Sequence, residues 1–168
     1  MPRASLPHTV DMVALCLHRG LLYVLLIKRA KPPFLDRRAL PGGHVDEGED
    51  LLAAAKRELL EETTLGGGFP TAQVGTFGHP KRDPRGHVIN TVFVGIFDKL
   101  EDVVPADDAA SVDWVPVRSL MREDLAFDHF FALQLALTKV EVVLSPMRLR
   151  LRPEERILYA ANRWVSEA

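Results

Sequence analysis

The chain has 168 residues, 47% of them hydrophobic and 26% charged, with a formal net charge of −2 and a single cysteine, Cys16. That length builds one domain with a real core, and the weak negative charge argues against a dedicated nucleic-acid binder, whose fold is normally strongly basic, while leaving room for a local basic patch. No apolar run approaches a membrane span, the N-terminal MPRASLPHTV lacks the apolar core of a signal peptide, and a lone cysteine forms no internal disulfide, so a cytoplasmic protein is expected.

Thr9–His18 and Leu21–Arg29 are apolar runs joined by His18-Arg19-Gly20, which reads as a β-hairpin. Both runs are apolar on both faces: Val10, Met12, Ala14 and Cys16 on one, Val13, Leu15 and Leu17 on the other. Such strands imply a sheet covered on each side, hence a layered α/β fold. Pro32-Pro33 breaks the second strand and leads to Ala39-Leu40-Pro41-Gly42-Gly43, whose glycines let backbone approach a ligand closely. Phe34 either stacks on a nucleobase or caps the core.

Asp50–Thr63 reads as a helix, with Leu52, Ala55, Leu59 and Thr63 on its buried stripe. Glu58, Glu61 and Glu62 fall within an arc of roughly 100° beside that stripe. The arrangement is electrostatically poor. Glu58 and Glu62 are a like-charge i, i+4 pair, and all three carboxylates stand where the helix dipole disfavours anions. A solvated acidic face is one reading, and a cage of hard oxygen ligands for Mg²⁺ or Mn²⁺ is the other. Asp46, Glu47, Glu49 and Asp50 cluster at the opposite end of the helix, where negative charge is favourable.

Gly66-Gly67-Gly68 breaks the chain before a strand at Thr71–Gly78. Asp83-Pro84-Arg85-Gly86 has the residues of a type I turn, and His87–Asp98 reads as a strand, so Lys81, Arg82 and Arg85 crowd one hairpin tip. Guanidinium groups bind phosphate oxygens bidentately, which makes Arg82 and Arg85 candidates beside the reading of a solvated turn. Glu101–Ala110 is an acidic loop and Ser111–Val117 a strand. Leu125–Val140 is helical in period and is expected to pack on the sheet, with Asp128 as N-cap and His129 either reaching the site or serving as a partly buried structural histidine. Pro153–Val165 reads as a last amphipathic helix, part of an extension at 141–168, that either closes the core or makes a homodimer contact. Leu144–Arg152 alternates basic and apolar residues without an evident role.

The frame Gly43, Glu49, Arg57, Glu58, Leu59, Glu61, Glu62, Leu65 resembles the Nudix box, G-x5-E-x7-R-E-U-x-E-E-x-G-U, where U is a bulky aliphatic. One position departs: Thr64 replaces the glycine. A β-branched residue is costly in the left-handed conformation, so the turn is expected slightly later, within the three glycines. The resemblance implies a Nudix-type α/β/α sandwich with a mixed sheet, spanning residues 1–168 as one domain. It implies Mg²⁺ or Mn²⁺ held by Glu58, Glu61, Glu62 and the Gly43 carbonyl, with the same glutamates as the catalytic set. Glu49 and Arg57 would pair to hold the loop on the helix.

Further segments resemble particular Nudix hydrolases. R-D-P-R-G at 82–86 and L-A-F-D-H at 125–129 are similar to members acting on ADP-ribose and related dinucleotides. W-V-P-V at 114–117 resembles a late strand of the family, near which Asp107, Asp108 or Asp113 would add an acid as ligand or base. The implied reaction is metal-dependent hydrolysis of a small nucleotide, ADP-ribose to AMP and ribose 5-phosphate, with Arg82, Arg85 and Phe34 on the substrate. A nucleoside triphosphate pyrophosphohydrolase is the rival within the enzyme class, and a non-catalytic ADP-ribose-sensing regulator the rival outside it.

Overall fold

The computed structural model describes residues 5–106 and 109–144. Strand β1 (His8–His18) and strand β2 (Leu21–Arg29) form the expected hairpin, with Arg19 and Gly20 at φ 48° and 76° in the two-residue turn. Positive φ at both positions matches the right-handed twist of the flanking strands. Short strands β3 (Arg38–Ala39) and β4 (Gly42–His44) follow, then helix α1 (Leu51–Thr63), strands β5 (Thr71–Phe77), β6 (Ile89–Phe97) and β7 (Ala109–Pro116), and helix α2 (His129–Leu144).

The strands make one seven-stranded mixed sheet in the order β3-β2-β1-β6-β5, with β4 paired to β1 and β7 to β2. β1 and β6 run parallel along nine registered pairs, from His8↔Ile89 to Cys16↔Phe97. Every other strand pairing among the described residues is antiparallel.

Because successive side chains of a strand point to opposite faces, β1 feeds two cores at once. Val10, Met12, Ala14 and Cys16 pack with Ala54, Ala55 and Leu59 of α1. Val13 and Leu15 join Phe130, Leu133, Ala136, Leu137 and Val140 of α2. The sheet is therefore sandwiched between the two helices. Cys16 is a fully buried free thiol, and burial pushes its pKa up. Leu59 is fully buried at the centre of α1, where truncation to alanine typically costs about 2–5 kcal/mol.

Helix α1 starts as its sequence dictates: Asp50 has extended backbone, and its carboxylate accepts from the amides of Leu52 at 3.0 Å and Ala53 at 3.1 Å. Its end differs from expectation. The left-handed turn is not deferred to the glycines, because Thr64 itself adopts φ 61°, ψ 2° and donates its amide to the Leu60 carbonyl. The Thr64 hydroxyl bonds the Thr63 carbonyl, and the Thr63 hydroxyl receives the Leu65 amide. Local hydrogen bonds hold a conformation whose strain is about 1–2 kcal/mol for a residue with a Cβ.

The second helix begins at His129 rather than Leu125 and continues through Leu144. Leu125–Asp128 is instead a turn: Leu125 bridges Arg38, the Ala126 amide donates to the Arg38 carbonyl, and Phe127 has φ 51°. Among the described residues no helix is long and apolar enough to cross a membrane. The expected last helix and the run beyond Leu144 lie outside the described residues.

Candidate active site

The loop between β4 and α1 is tied down by one guanidinium. Arg57 donates Nε and Nη2 to the two oxygens of Glu49 at 2.9 and 2.8 Å, Nη1 to Glu58 at 2.9 Å and Glu61 at 3.1 Å, and Nη2 to the His44 carbonyl at 3.0 Å. Such forked, charge-assisted bonds are the strong kind. The Arg57 guanidinium beside Glu49 holds its carboxyl down at about 2. Burial pushes Glu58 up, against the pull of Arg57.

Glu62 differs from its neighbours on the helix. It lies within the buried stripe, 7% exposed, and accepts the Gly42 amide at 2.9 Å. Glycine is needed at Gly42, where backbone approaches backbone, and at Gly43 it leaves room for the Glu58 carboxylate. A Cβ on Gly42 would stand 2.1 Å from the Val10 carbonyl oxygen, and one on Gly43 would stand 2.5 Å from the Glu58 carboxylate.

These groups form one wall of a cavity of about 370 Å³. The hairpin between β5 and β6 closes the other side. Asp83–Gly86 is the expected turn, with the Gly86 amide on the Asp83 carbonyl at 3.2 Å. Arg85 caps the turn by bonding the Asp83 carboxylate, which burial raises and these bonds lower more, for a net depression. Arg82 points inward: its side chain is 5% exposed and grips both oxygens of Asp128 at 2.9 and 2.6 Å. Asp128, at the N-cap position of α2, thus uses its carboxylate on a residue 46 positions away.

The structure brings Gly43, Glu58, Glu62, Arg82 and Arg85 to the cavity and leaves Glu61 and Phe34 out of its lining. Glu61 is half exposed and faces Arg57. Phe34 packs its edge on Phe127 at 4.7 Å between centroids. Asp113 lies in a separate hollow with Lys28, Arg37 and Arg38, and Asp107 and Asp108 fall outside the described residues.

The lining residues that were not site candidates in the sequence include Asp11, Arg29, Lys31 and Phe127. Phe127 is the aromatic of the cavity, with the Arg29 guanidinium 5.0 Å and that of Arg85 5.6 Å from its ring centre. Asp11 had a legible signal, since a carboxylate inside a strand apolar on both faces demands a reason.

Among the described residues, no three His, Cys, Asp or Glu side chains stand together as a ready-made metal cage. Glu58 and Glu61 share Arg57, and Glu62 faces the Gly42 amide. The donor chemistry nevertheless fits a hard divalent cation. Glu58 and Glu62 are carboxylates on one helix face, and the chain beside Glu58 is glycine, where any side chain would fill the space.

A mixed sheet between two helices, with carboxylates and guanidinium groups lining one polar cavity, defines an α/β/α domain whose cavity offers groups for both cations and anions. The NUDIX domain model matches residues 7–135, and the chain belongs to that family. It is 34% identical over 134 residues to the ADPR responsive transcriptional repressor NtrR of Acinetobacter baylyi, covering 79% of this chain and 53% of that protein. It is 43% identical over 109 residues to the ADP-ribose pyrophosphatase of Methanocaldococcus jannaschii, covering 63% and 60%. The NUDIX domain of Shewanella oneidensis NrtR, solved with ADP ribose, superposes with a TM-score of 0.75 at 29% identity, covering 82% of this chain and 90% of that one. The chain spans about half to three fifths of the length of these two curated relatives.

Proposed function

We propose that the chain hydrolyses ADP-ribose to AMP and ribose 5-phosphate with Mg²⁺ or Mn²⁺. The observation that carries the reading is the lining of one cavity by the Glu58 and Glu62 carboxylates together with the Arg29, Lys31 and Arg85 cations. A diphosphate joined to two sugars needs both kinds of group. Its anionic oxygens require cations, and its anhydride phosphorus must be reached by water through their negative shield. Similarity to an ADP-ribose pyrophosphatase and to a domain solved with ADP ribose supports the substrate class.

In this reading Glu58, Glu62 and the Gly43 carbonyl would hold the cation, and Glu61, outside the lining and paired with Arg57, would join them only by turning away from Arg57. When bound, the cation supplies charge neutralisation and acidifies the attacking water. A box glutamate accepts that water's proton. Arg85, with a half-exposed side chain, holds the distal phosphate, as Arg29 does from the end of β2. Arg82, committed to Asp128, braces the hairpin from within rather than reaching for substrate. Phe127, flanked by the two guanidiniums, is the surface for a base or ribose, and Phe34 supports it from behind.

Turnover of ADP-ribose beside a panel of nucleoside triphosphates, with Mg²⁺ and then Mn²⁺, tests this. Preferential cleavage of ADP-ribose is expected, with a loss of about 10²–10⁴-fold in Glu62→Gln. Preference for a triphosphate would keep the metal helix and discard the substrate assignment. The repressor match favours a second reading, an ADP-ribose-responsive regulator. Tight ADP-ribose binding without turnover of any substrate, together with specific DNA binding, would establish it instead.

A further inference from the structure

Within the lining of the cavity runs a largely buried polar chain that the proposed reaction does not use. The Thr9 hydroxyl bonds Asn90 Oδ1 at 3.1 Å, Asn90 Nδ2 donates to Asp11 Oδ2, and His129 Nε2 stands 3.3 Å from that same oxygen. On its far side His129 Nδ1 meets the Leu40 amide at 2.9 Å. A backbone N–H only donates, so Nδ1 is a bare acceptor and the ring proton belongs on Nε2, facing Asp11. Burial pushes the His129 pKa down, which agrees with a neutral ring.

The partners of this chain fix the turn that enters the candidate metal wall. Three successive residues of that turn are anchored to three different elements. The Leu40 amide bonds His129 of α2, the Pro41 carbonyl takes the Met12 amide of β1 at 2.9 Å, and the Gly42 amide bonds Glu62 of α1. Asp11 Oδ1 lies against Gly42 so closely that a Cβ there would stand 2.3 Å away. Leu40, the residue that His129 bonds, is thus two positions upstream of Gly42, whose amide aims Glu62, and Asp11 lies against both His129 and Gly42.

The geometry points to His129, held by Asp11 as the Nε2-protonated tautomer, as a positioning residue that sets the Gly42-Gly43 backbone and the Glu62 carboxylate for cation binding. This rests on reading the cavity as the metal site. Groups that orient ligands from behind typically change metal affinity about 10–100-fold when removed.

The first test needs no mutation. ¹⁵N-resolved NMR of the wild-type His129 ring at neutral pH is expected to show a bare, pyridine-type Nδ1 and a protonated Nε2. The reverse tautomer, or a doubly protonated ring, would overturn the inference. The second test is Mn²⁺ binding to the full chain without substrate, followed by EPR. His129→Phe keeps a ring but removes both polar ends, and is expected to weaken Mn²⁺ about 10–100-fold. His129→Asn, which restores an acceptor oxygen for the Leu40 amide, is expected to recover most of that loss and serves alone if the phenylalanine variant does not fold. Mn²⁺ binding within twofold of wild type in His129→Phe, or no recovery in His129→Asn, would overturn the positioning role. Wild-type chain that binds no Mn²⁺, or Glu62→Gln that binds as wild type does, would instead sink the reading of the cavity on which it rests.

Discussion

Two arginines near the cavity, Arg82 in its lining and Arg57 behind Glu58, do opposite kinds of work. Arg57, partly exposed, gathers Glu49, Glu58, Glu61 and the His44 carbonyl, all within 13 positions of itself in the chain. Arg82 is almost fully buried and has both oxygens of one partner, Asp128, at the start of α2. The first organises a loop and a helix that are already neighbours in sequence. The second joins two distant segments and locks the hairpin to the second layer of the sandwich. Local networks tune a site, while long-range buried pairs decide whether its parts come together at all.

Breaking the long-range pair is expected to have the largest effect on stability. Arg82→Ala leaves the Asp128 carboxylate without its partner in a largely buried setting. Denaturant unfolding is expected to show a loss of about 3–5 kcal/mol. Removing both charges together, as Arg82→Met with Asp128→Asn, is expected to cost clearly less than the single change, because no uncompensated charge remains. Equal costs would mean that packing, not pairing, fixes the hairpin.

In the local network, Arg57→Lys keeps the charge but loses the fork. Urea unfolding is expected to show a smaller loss, about 1–2 kcal/mol, since lysine replaces several charge-assisted bonds with at most a few. Acid dependence sharpens the same contrast. Glu49 is depressed from 4.5 to about 2 by Arg57. A carboxyl lowered in the folded state binds fewer protons there than in the unfolded chain. Its contribution is therefore complete above about 4.5 and disappears as the pH falls through about 2. Stability measured down this window is expected to fall less steeply in Glu49→Gln than in wild type.

The smallest effect is expected at the helix exit. Thr64→Gly relieves the left-handed backbone but loosens the unfolded chain and drops the hydroxyl bonds. A net gain of about 1 kcal/mol or less is expected by thermal unfolding.

The same contrast explains what sequence reasoning reached. The hairpin of β1 and β2, the start of α1 and the two-faced burial of β1 follow from periodicity and capping chemistry, which act over a few residues. The Arg57 network was instead implied by the resemblance of the frame from Gly43 to Leu65 to the Nudix box. What escaped depends on partners far along the chain. Glu62 was read as lying beside the buried stripe, but its carboxylate enters it because the Gly42 amide waits there. The hairpin-tip position makes Arg82 a phosphate-binding candidate and it does line the cavity, but its buried pairing with Asp128, 46 positions on, is not legible in the sequence. Leu125–Asp128 has helical apolar spacing, but the Arg38 carbonyl captures the Ala126 amide and delays the helix to His129. In each case a tertiary hydrogen bond overrode a local tendency.

Cys16 has a practical consequence for anyone who wishes to watch this molecule move. It is the sole thiol of the chain, wholly enclosed beneath α1 and pushed toward its protonated form by burial. Thiolate is the reactive species, so the folded protein resists maleimide and iodoacetamide reagents without being made cysteine-free. A cysteine introduced at exposed Met121 or Leu35 therefore gives a spin label or fluorophore with a single address on an otherwise unaltered chain.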